Sequence, residues 1–369
     1  MKRRFIKNIE WSILICCLIL LIIGMVALYS ATQEDGNSDL KKQIVWIIIS
    51  IPVMIGVIII DYNTIAKISP ILYVIFIIAL IGVLFTEPIN GATSWFQVTE
   101  WATFQPSEFA KIVFIIFFSY IMVKLQNGDK RETNRFWKLL ISGVILAIPV
   151  GLIVLQPDYG TLMAFLVSYI FMMFVAGVDK KLIIIASIIV IVAIPLAYFY
   201  VLPEHAKTRI DVFLNPNLDP RGSAYNVIQS KLAIGSGKLL GMGLLKGNQT
   251  QLGYLYPKTT DFIFSVIGEE MGFVIAVIVI ITYIMLLTKS IYVAKTAKDD
   301  LGSYIAVGIS GIFAFHMLEN IGMTMGLLPI TGVPLPFVSY GGSSLITNFI
   351  CIGLLLNISA RRQKAIFMD

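Results

Sequence analysis

Residues 138–177 read KLLISGVILAIPVGLIVL-QPD-YGTLMAFLVSYIFMMFVAG, two long apolar runs interrupted only by Gln156-Pro157-Asp158. A helix needs about 20 mainly apolar residues to cross the hydrocarbon core of a bilayer. A Gln-Pro-Asp break carries polar groups that lipid cannot satisfy, so it marks a turn at a membrane boundary. The stretch therefore reads as two spanning helices running in opposite directions. Applied outward in both directions, the same criterion predicts ten spans, at roughly 11–31, 42–60, 69–86, 107–125, 138–155, 159–177, 182–202, 262–287, 302–327 and 343–358.

Composition agrees. Of 369 residues, 57% are hydrophobic and 14% charged, whereas an ordinary soluble domain is about 25% charged. So few charges cannot cover a water-facing surface, which excludes a soluble domain; disordered, collagen-like and disulfide-stapled chains are excluded too. Cys16, Cys17 and Cys351 lie in apolar runs without ligand spacing, and His205 and His316 are far apart, which argues against a metal centre. The basic cap Lys2, Arg3, Arg4 and Lys7 precedes a run long enough to span and without a small-residue cleavage site. That run is expected to be a retained first helix.

Basic residues fix the expected orientation, because cytoplasmic loops carry the excess of Lys and Arg. With the N-terminus in the cytoplasm, 18 of the 28 Lys and Arg fall on that side, nine outside, and Lys111 within a span. The outer loops at 87–106, 156–158 and 328–342 contain neither residue. The net charge of +6 is thus an orientation signal, with anionic membrane lipids as its counterpart, and leaves no role for nucleic acid. The expected fold is an all-α polytopic protein of the bacterial cytoplasmic membrane. It has ten transmembrane helices in one domain over 1–369, cytoplasmic ends at 1–10 and 359–369, and a long outer-face loop, 203–261, between helices 7 and 8.

A loop of that length is usually functional, and 224–233 is expected to form a short helix on the membrane surface. The segment Leu328 to Ser344 holds Pro329, Pro334 and Pro336 in an apolar context. Irregular backbone at membrane depth persists only where protein or a water-filled cavity satisfies it, so this segment should line an outward cavity. In the loop 87–106, Trp95, Phe96, Trp101 and Phe104 fit an interfacial aromatic belt.

Ionisable residues in spans are functional candidates. Glu108 and Lys111 share a helix face, either as a buried ion pair or as a cation on the floor of the cavity. His316 and Glu319 fit polar packing between helices. Asp261 either caps the helix that follows it or serves chemistry. Glu269 and Glu270 lie about two turns further along. Gly235-Ser236-Gly237-Lys238 lacks the remaining residues of a phosphate-binding loop, Gly241-x-Gly243 lacks the third glycine of a dinucleotide fingerprint, and the sequon Asn248-Gln249-Thr250 is a weak pattern.

Gln105-Pro106-Ser107-Glu108, Gln156 to Thr161, Thr260-Asp261-Phe262-Ile263-Phe264 with Glu269-Glu270-x-Gly272, and the 328–344 loop together resemble the SEDS family (shape, elongation, division and sporulation), which includes RodA, FtsW and SpoVE. Gly91-Ala92-x-x-Trp95 and the run Gly241 to Leu252 are most similar to RodA, the elongation branch, with the division and sporulation roles left open.

The resemblance implies a peptidoglycan glycosyltransferase that polymerises lipid II on the outer membrane face beside a class B penicillin-binding protein. It makes Asp261 the candidate base. Lys111 and Arg209 become candidates for holding the diphosphate, with Glu108 orienting Lys111. Arg209 lies in Arg209-x-x-x-Phe213-Leu214-x-Pro216, which resembles a family loop motif. Trp95, Gln229, Ser339 and Ser343 are further substrate-binding candidates. A divalent cation (Mg²⁺ or Mn²⁺) is an option for sharing diphosphate charge, though no ligand cluster compels one. Ser94 stands where family members commonly have Arg. The rival readings are a lipid-precursor flippase, which should show paired halves that this chain lacks, and a non-catalytic scaffold.

Overall fold

The computed structural model describes residues 8–87, 93–99, 102–200, 204–215, 218–220, 222 and 224–362. The basic cap Lys2 to Lys7, Gly91, Ala92, Trp101, Pro216 and Lys364 lie outside the described residues. The helices are α1 (Trp11–Ala31), α2 (Ser38–Ile59), α3 (Tyr62–Val83), α4 (Pro106–Gln126), α5 (Phe136–Leu155), α6 (Tyr159–Val175), α7 (Lys180–Tyr200), α8 (Glu204–Leu214), α9 (Tyr225–Ser236), α10 (Ile263–Lys295), α11 (Asp300–Thr324) and α12 (Gly342–Ala360). Among the described residues, seven of these (α1, α2, α3, α5, α10, α11 and α12) are long and apolar enough to cross a membrane. Helix α4 is 21 residues long but carries Glu108, Lys111 and Lys124. Helix α6 is shorter, at 17 residues.

Local chemistry sets several helix starts. Pro106 occupies the first turn of α4, where a missing N–H does no harm. Asp158 ends the Gln-Pro-Asp turn and caps α6 by accepting the Thr161 N–H. Asp61 and Asp299 cap α3 and α11 in the same way.

Helices α11 and α12 form the centre of the bundle. In their apolar windows 89% and 83% of residues are buried within the protein, against 11% for α2 and 17% for α5. The polar residues of α11 therefore face protein and not lipid, where they can be satisfied.

Two features depart from the expected pattern. The chain is not wholly helical, because Phe96–Thr99 (β1) and Ala102–Phe104 (β2) pair antiparallel, with Phe96 opposite Phe104. Alternating, β-branched-rich Phe96-Gln97-Val98-Thr99 suits a strand as well as an interfacial loop. Helix α10 also contains a π turn at Ile267–Met271. The carbonyls of Glu269 and Glu270 accept from Met242 and Gly243, and the N–H groups of Phe273 and Val274 donate to Lys238 and Leu239. The segment after α9 is thus stitched onto α10. Gly241 (φ 82°) and Gly272 (φ 81°) meet backbone to backbone at this seam, and a side chain on either would collide with the other strand of it.

Within 203–261 the described residues form α8, α9 and a single turn at Asn248–Gln251, and α9 falls where a short helix is expected.

Candidate active site

The irregular segment between α11 and α12 is the centre of the site, and its backbone groups are satisfied one after another. The Asn320 side-chain amide donates to Val333 O at 2.8 Å. His316 Nδ1 meets Pro334 O at 3.1 Å. The Leu335 N–H donates to Ser339 Oγ at 2.8 Å, and the Tyr283 hydroxyl donates to Pro336 O. Gln43, fully buried, spans the end of the segment: its amide donates to Ser339 O at 3.1 Å and its carbonyl accepts from Gly341 N at 3.3 Å. Three prolines prevent regular helix here, and side chains from α2, α10 and α11 supply the missing partners.

These contacts fix the approach to Asp261. Three successive carbonyls are each held by a donor. Thr259 O accepts from Tyr340 N at 2.9 Å, Thr260 O from Ser339 Oγ at 2.6 Å, and Asp261 O from Asn320 Nδ2 at 3.0 Å. Asp261 does not cap α10: the capping position belongs to Phe262, and no side-chain cap bond is made there. Its half-buried carboxylate lies against Gly332, whose φ of 74° and missing side chain leave room for it. Burial lifts the Asp261 carboxyl above its ordinary range; the Thr260 hydroxyl and the charge of nearby Arg209 partly oppose the shift.

Arg209 projects from α8 and its guanidinium reaches Ile330 O at 3.5 Å. It lines an open cleft together with Val212, Phe213, Val227, Leu328 and Ile330. Ile330 and Gly332 belong to one short segment, which joins the cleft to the Asp261 carboxylate.

Glu108 and Lys111 form a buried ion pair at 2.7 Å, each with no more than 5% of its side chain exposed. Thr347 donates to the second Glu108 oxygen at 3.2 Å. Lys111 Nζ also lies 3.1 Å from His316 Nε2. Since Pro334 O can only accept, His316 carries its proton on Nδ1 and offers the Nε2 lone pair to Lys111. Of the two readings open for this pair, the structure contains the buried ion pair, with the lysine turned away from solvent. Through His316 that pair is hydrogen-bonded to the same segment that steadies Asp261.

The other candidates are spread over the neighbouring elements. Ser339 joins the Asp261 scaffold directly. The N–H of Gln105 donates to Ser343 Oγ at 3.1 Å, which ties α12 to the start of α4. Half-buried Trp95 accepts through its carbonyl from Thr86, and Ser94 is buried with its hydroxyl toward Gln156 O. Gln229 is half-buried on α9, while its neighbours Val227 and Lys231 line the cleft. Glu269 accepts from the Gln249 and Thr250 N–H groups and the Thr250 hydroxyl, so it anchors the 248–251 turn.

Asn320, Gln43 and Asp158 went unmarked in the sequence as site residues. Asp158 accepts from Gln105 at 3.1 Å and sits near Lys111; burial raises its carboxyl, against the Thr161 hydrogen bonds and the lysine charge. For Asn320 a signal existed: it lies four residues after His316, on the same face of a largely apolar helix.

The model of the cell cycle protein family FtsW/RodA/SpoVE matches residues 10–364. The chain belongs to that family. RodA of Treponema pallidum, a peptidoglycan glycosyltransferase, is 33% identical over 98% of this chain and 100% of its own length. MrdB of Escherichia coli K12, with the same named activity, is 34% identical over 96% of this chain and 95% of its own. A probable peptidoglycan glycosyltransferase FtsW of Trichlorobacter lovleyi is 35% identical over 93% and 91%. Among solved structures, a chain from a peptidoglycan synthase complex described as coordinating polymerization and crosslinking superposes with a TM-score of 0.82 at 25% identity, over 96% of this chain and 99% of that one. The crystal structure of Thermus thermophilus RodA gives 0.72 at 25%, over 96% and 98%.

Proposed function

We propose that this family member is a peptidoglycan glycosyltransferase that polymerises lipid II at the outer face of the bacterial cytoplasmic membrane, in cell elongation. The observation that carries the reading is the Asp261 carboxylate, half-buried and held through three consecutive carbonyls beside a cationic, apolar-walled cleft. The named activity of the full-length relatives supports it.

The reaction joins the 4-hydroxyl of one sugar to the anomeric carbon of another. Asp261 takes the hydroxyl proton as the new C–O bond forms, and the bond to the undecaprenyl diphosphate breaks with its electron pair leaving on the diphosphate. One base suffices, because the diphosphate departs without protonation. A carboxyl raised by burial is a stronger base than a solvated one, and a pinned backbone keeps it in register with the hydroxyl. Arg209 supplies positive charge to the departing group. Lys111 and Glu108 act at one remove, through His316 and the Pro334 carbonyl. No group of three or more His, Cys, Asp or Glu side chains is arranged for a metal among the described residues. Any Mg²⁺ or Mn²⁺ the reaction takes would be held chiefly by diphosphate oxygens, as is common for Mg²⁺.

In this reading α4, α6 and α7 also cross the bilayer, giving ten spans with both termini cytoplasmic and the 203–261 stretch outside. Their 21, 17 and 21 residues amount to about 26–32 Å of helix, close to the hydrocarbon thickness. Pairing of Glu108 with Lys111 removes the main obstacle to burying α4. The likeness to a chain from a polymerising and crosslinking complex supports a crosslinking partner, a class B penicillin-binding protein. The test is gel analysis of products from labelled lipid II with the purified protein and that partner. A ladder of glycan chains is expected, and unreacted lipid II under all conditions would remove the proposal.

A further inference from the structure

The cleft beside Asp261 contains a second cation, Lys231 of α9, and no acidic residue among those that line it. Its terminal amine lies directly over Gly326: a Cβ placed on that glycine would fall 2.5 Å from the lysine Nζ. Gly326 itself turns the chain after α11 with φ 68°, a conformation that favours glycine. The simplest structural role for such a lysine is to serve the exposed carbonyls at the end of α11. That work is done next door, where Ser230 Oγ donates to Thr324 O at 2.6 Å. Among the described residues Lys231 has no hydrogen-bond or ion-pair partner.

Two cations at an apolar-walled cleft, with no acid to neutralise them, suit an amphiphilic anion. The walls Val212, Phe213, Val227 and Leu328 are apolar enough to take prenyl carbons, and the cleft adjoins the base through Ile330 to Gly332. We propose that Lys231 and Arg209 together clamp the diphosphate of a polyprenyl diphosphate, with its first prenyl units against those walls. The proposal rests on the polymerase reading, in which charge builds on that diphosphate as the sugar–phosphate bond breaks.

The test measures binding of undecaprenyl diphosphate to the full-length protein in lipid nanodiscs, alongside its melting temperature. Lys231→Met keeps the aliphatic stem and removes the charge. It is expected to weaken binding roughly tenfold, as for one charge-assisted hydrogen bond at a partly exposed site. Melting should be unchanged, and Lys231→Arg should retain binding. Inorganic pyrophosphate should bind far more weakly than the lipid, and phosphatidylglycerol should not compete. Unaltered affinity in Lys231→Met, a loss that tracks a lowered melting temperature, or equal competition by phosphatidylglycerol would each overturn the clamp. If binding behaves as expected but the wild-type protein makes no glycan, the polymerase reading fails and the polyprenyl diphosphate site stands.

Discussion

Asn320 offers the sharpest separation of positioning from contact. Its side chain is fully buried, and one amide nitrogen donates to both Asp261 O at 3.0 Å and Val333 O at 2.8 Å. Asn320→Leu keeps the number and branching of the side-chain heavy atoms and removes both donors. Each buried carbonyl so orphaned costs about 1–3 kcal/mol, which puts the total near 2–4 kcal/mol once some relaxation is allowed. Part of that will appear as lower thermal stability. The rest will appear as freedom at residue 261, since relaxation must move one or both carbonyls. A displacement of about 1 Å at a catalytic group costs roughly a hundredfold in rate. Asn320 has no route to the substrate, so the loss should fall on kcat, by about ten- to a hundredfold, with KM within about twofold. The assay is steady-state polymerisation of labelled lipid II, with melting followed on the same preparations. A normal kcat in a stably folded Asn320→Leu protein, or a defect confined to KM, would refute the reasoning.

Other outcomes follow from the same geometry. Burial raises the Asp261 carboxyl, so activity should fall as pH drops through a value above the ordinary aspartate range of about 3.9, and Arg209→Gln, which removes an opposing positive charge, should move that acid limb to higher pH in a pH–rate profile. Glu108→Gln or Lys111→Met alone leaves a buried charge unpaired and should destabilise by about 3–5 kcal/mol, whereas the double variant should recover much of this in thermal unfolding; exposed Lys295→Ala is the neutral control. Glu269→Ala removes the acceptor for three donors of the 248–251 turn and should accelerate amide exchange there while leaving the α11 amides protected.

The apolar runs, the Gln156-Pro157-Asp158 break and the proline-rich segment were legible because each reflects a backbone rule that holds in any sequence: lipid tolerates helix, and little else. The π turn of α10 was not legible, since it exists only where carbonyls and N–H groups of 238–243 arrive to satisfy it. The buried Glu108–Lys111 pair was one of the two readings its spacing allowed, but its contact with His316, from a helix about 200 positions away, was not legible. Asp261 shows the limit most clearly. As residue types, Thr-Thr-Asp before an apolar run fits a helix cap, and only the placement of Ser339, Tyr340 and Asn320 reveals that the backbone there is held for another purpose. The glycine run 235–243 lacks the residues of a phosphate-binding loop, and the close approach of Gly237 and Gly241 to the α10 backbone shows only in the fold.

The most direct test of the central claim is Asp261→Asn, a substitution that keeps shape and hydrogen-bonding capacity but removes the base. The purified variant, with its partner and labelled lipid II, should melt like the wild-type protein and yield no glycan ladder. Undiminished glycan chains from a folded Asp261→Asn protein would contradict the account.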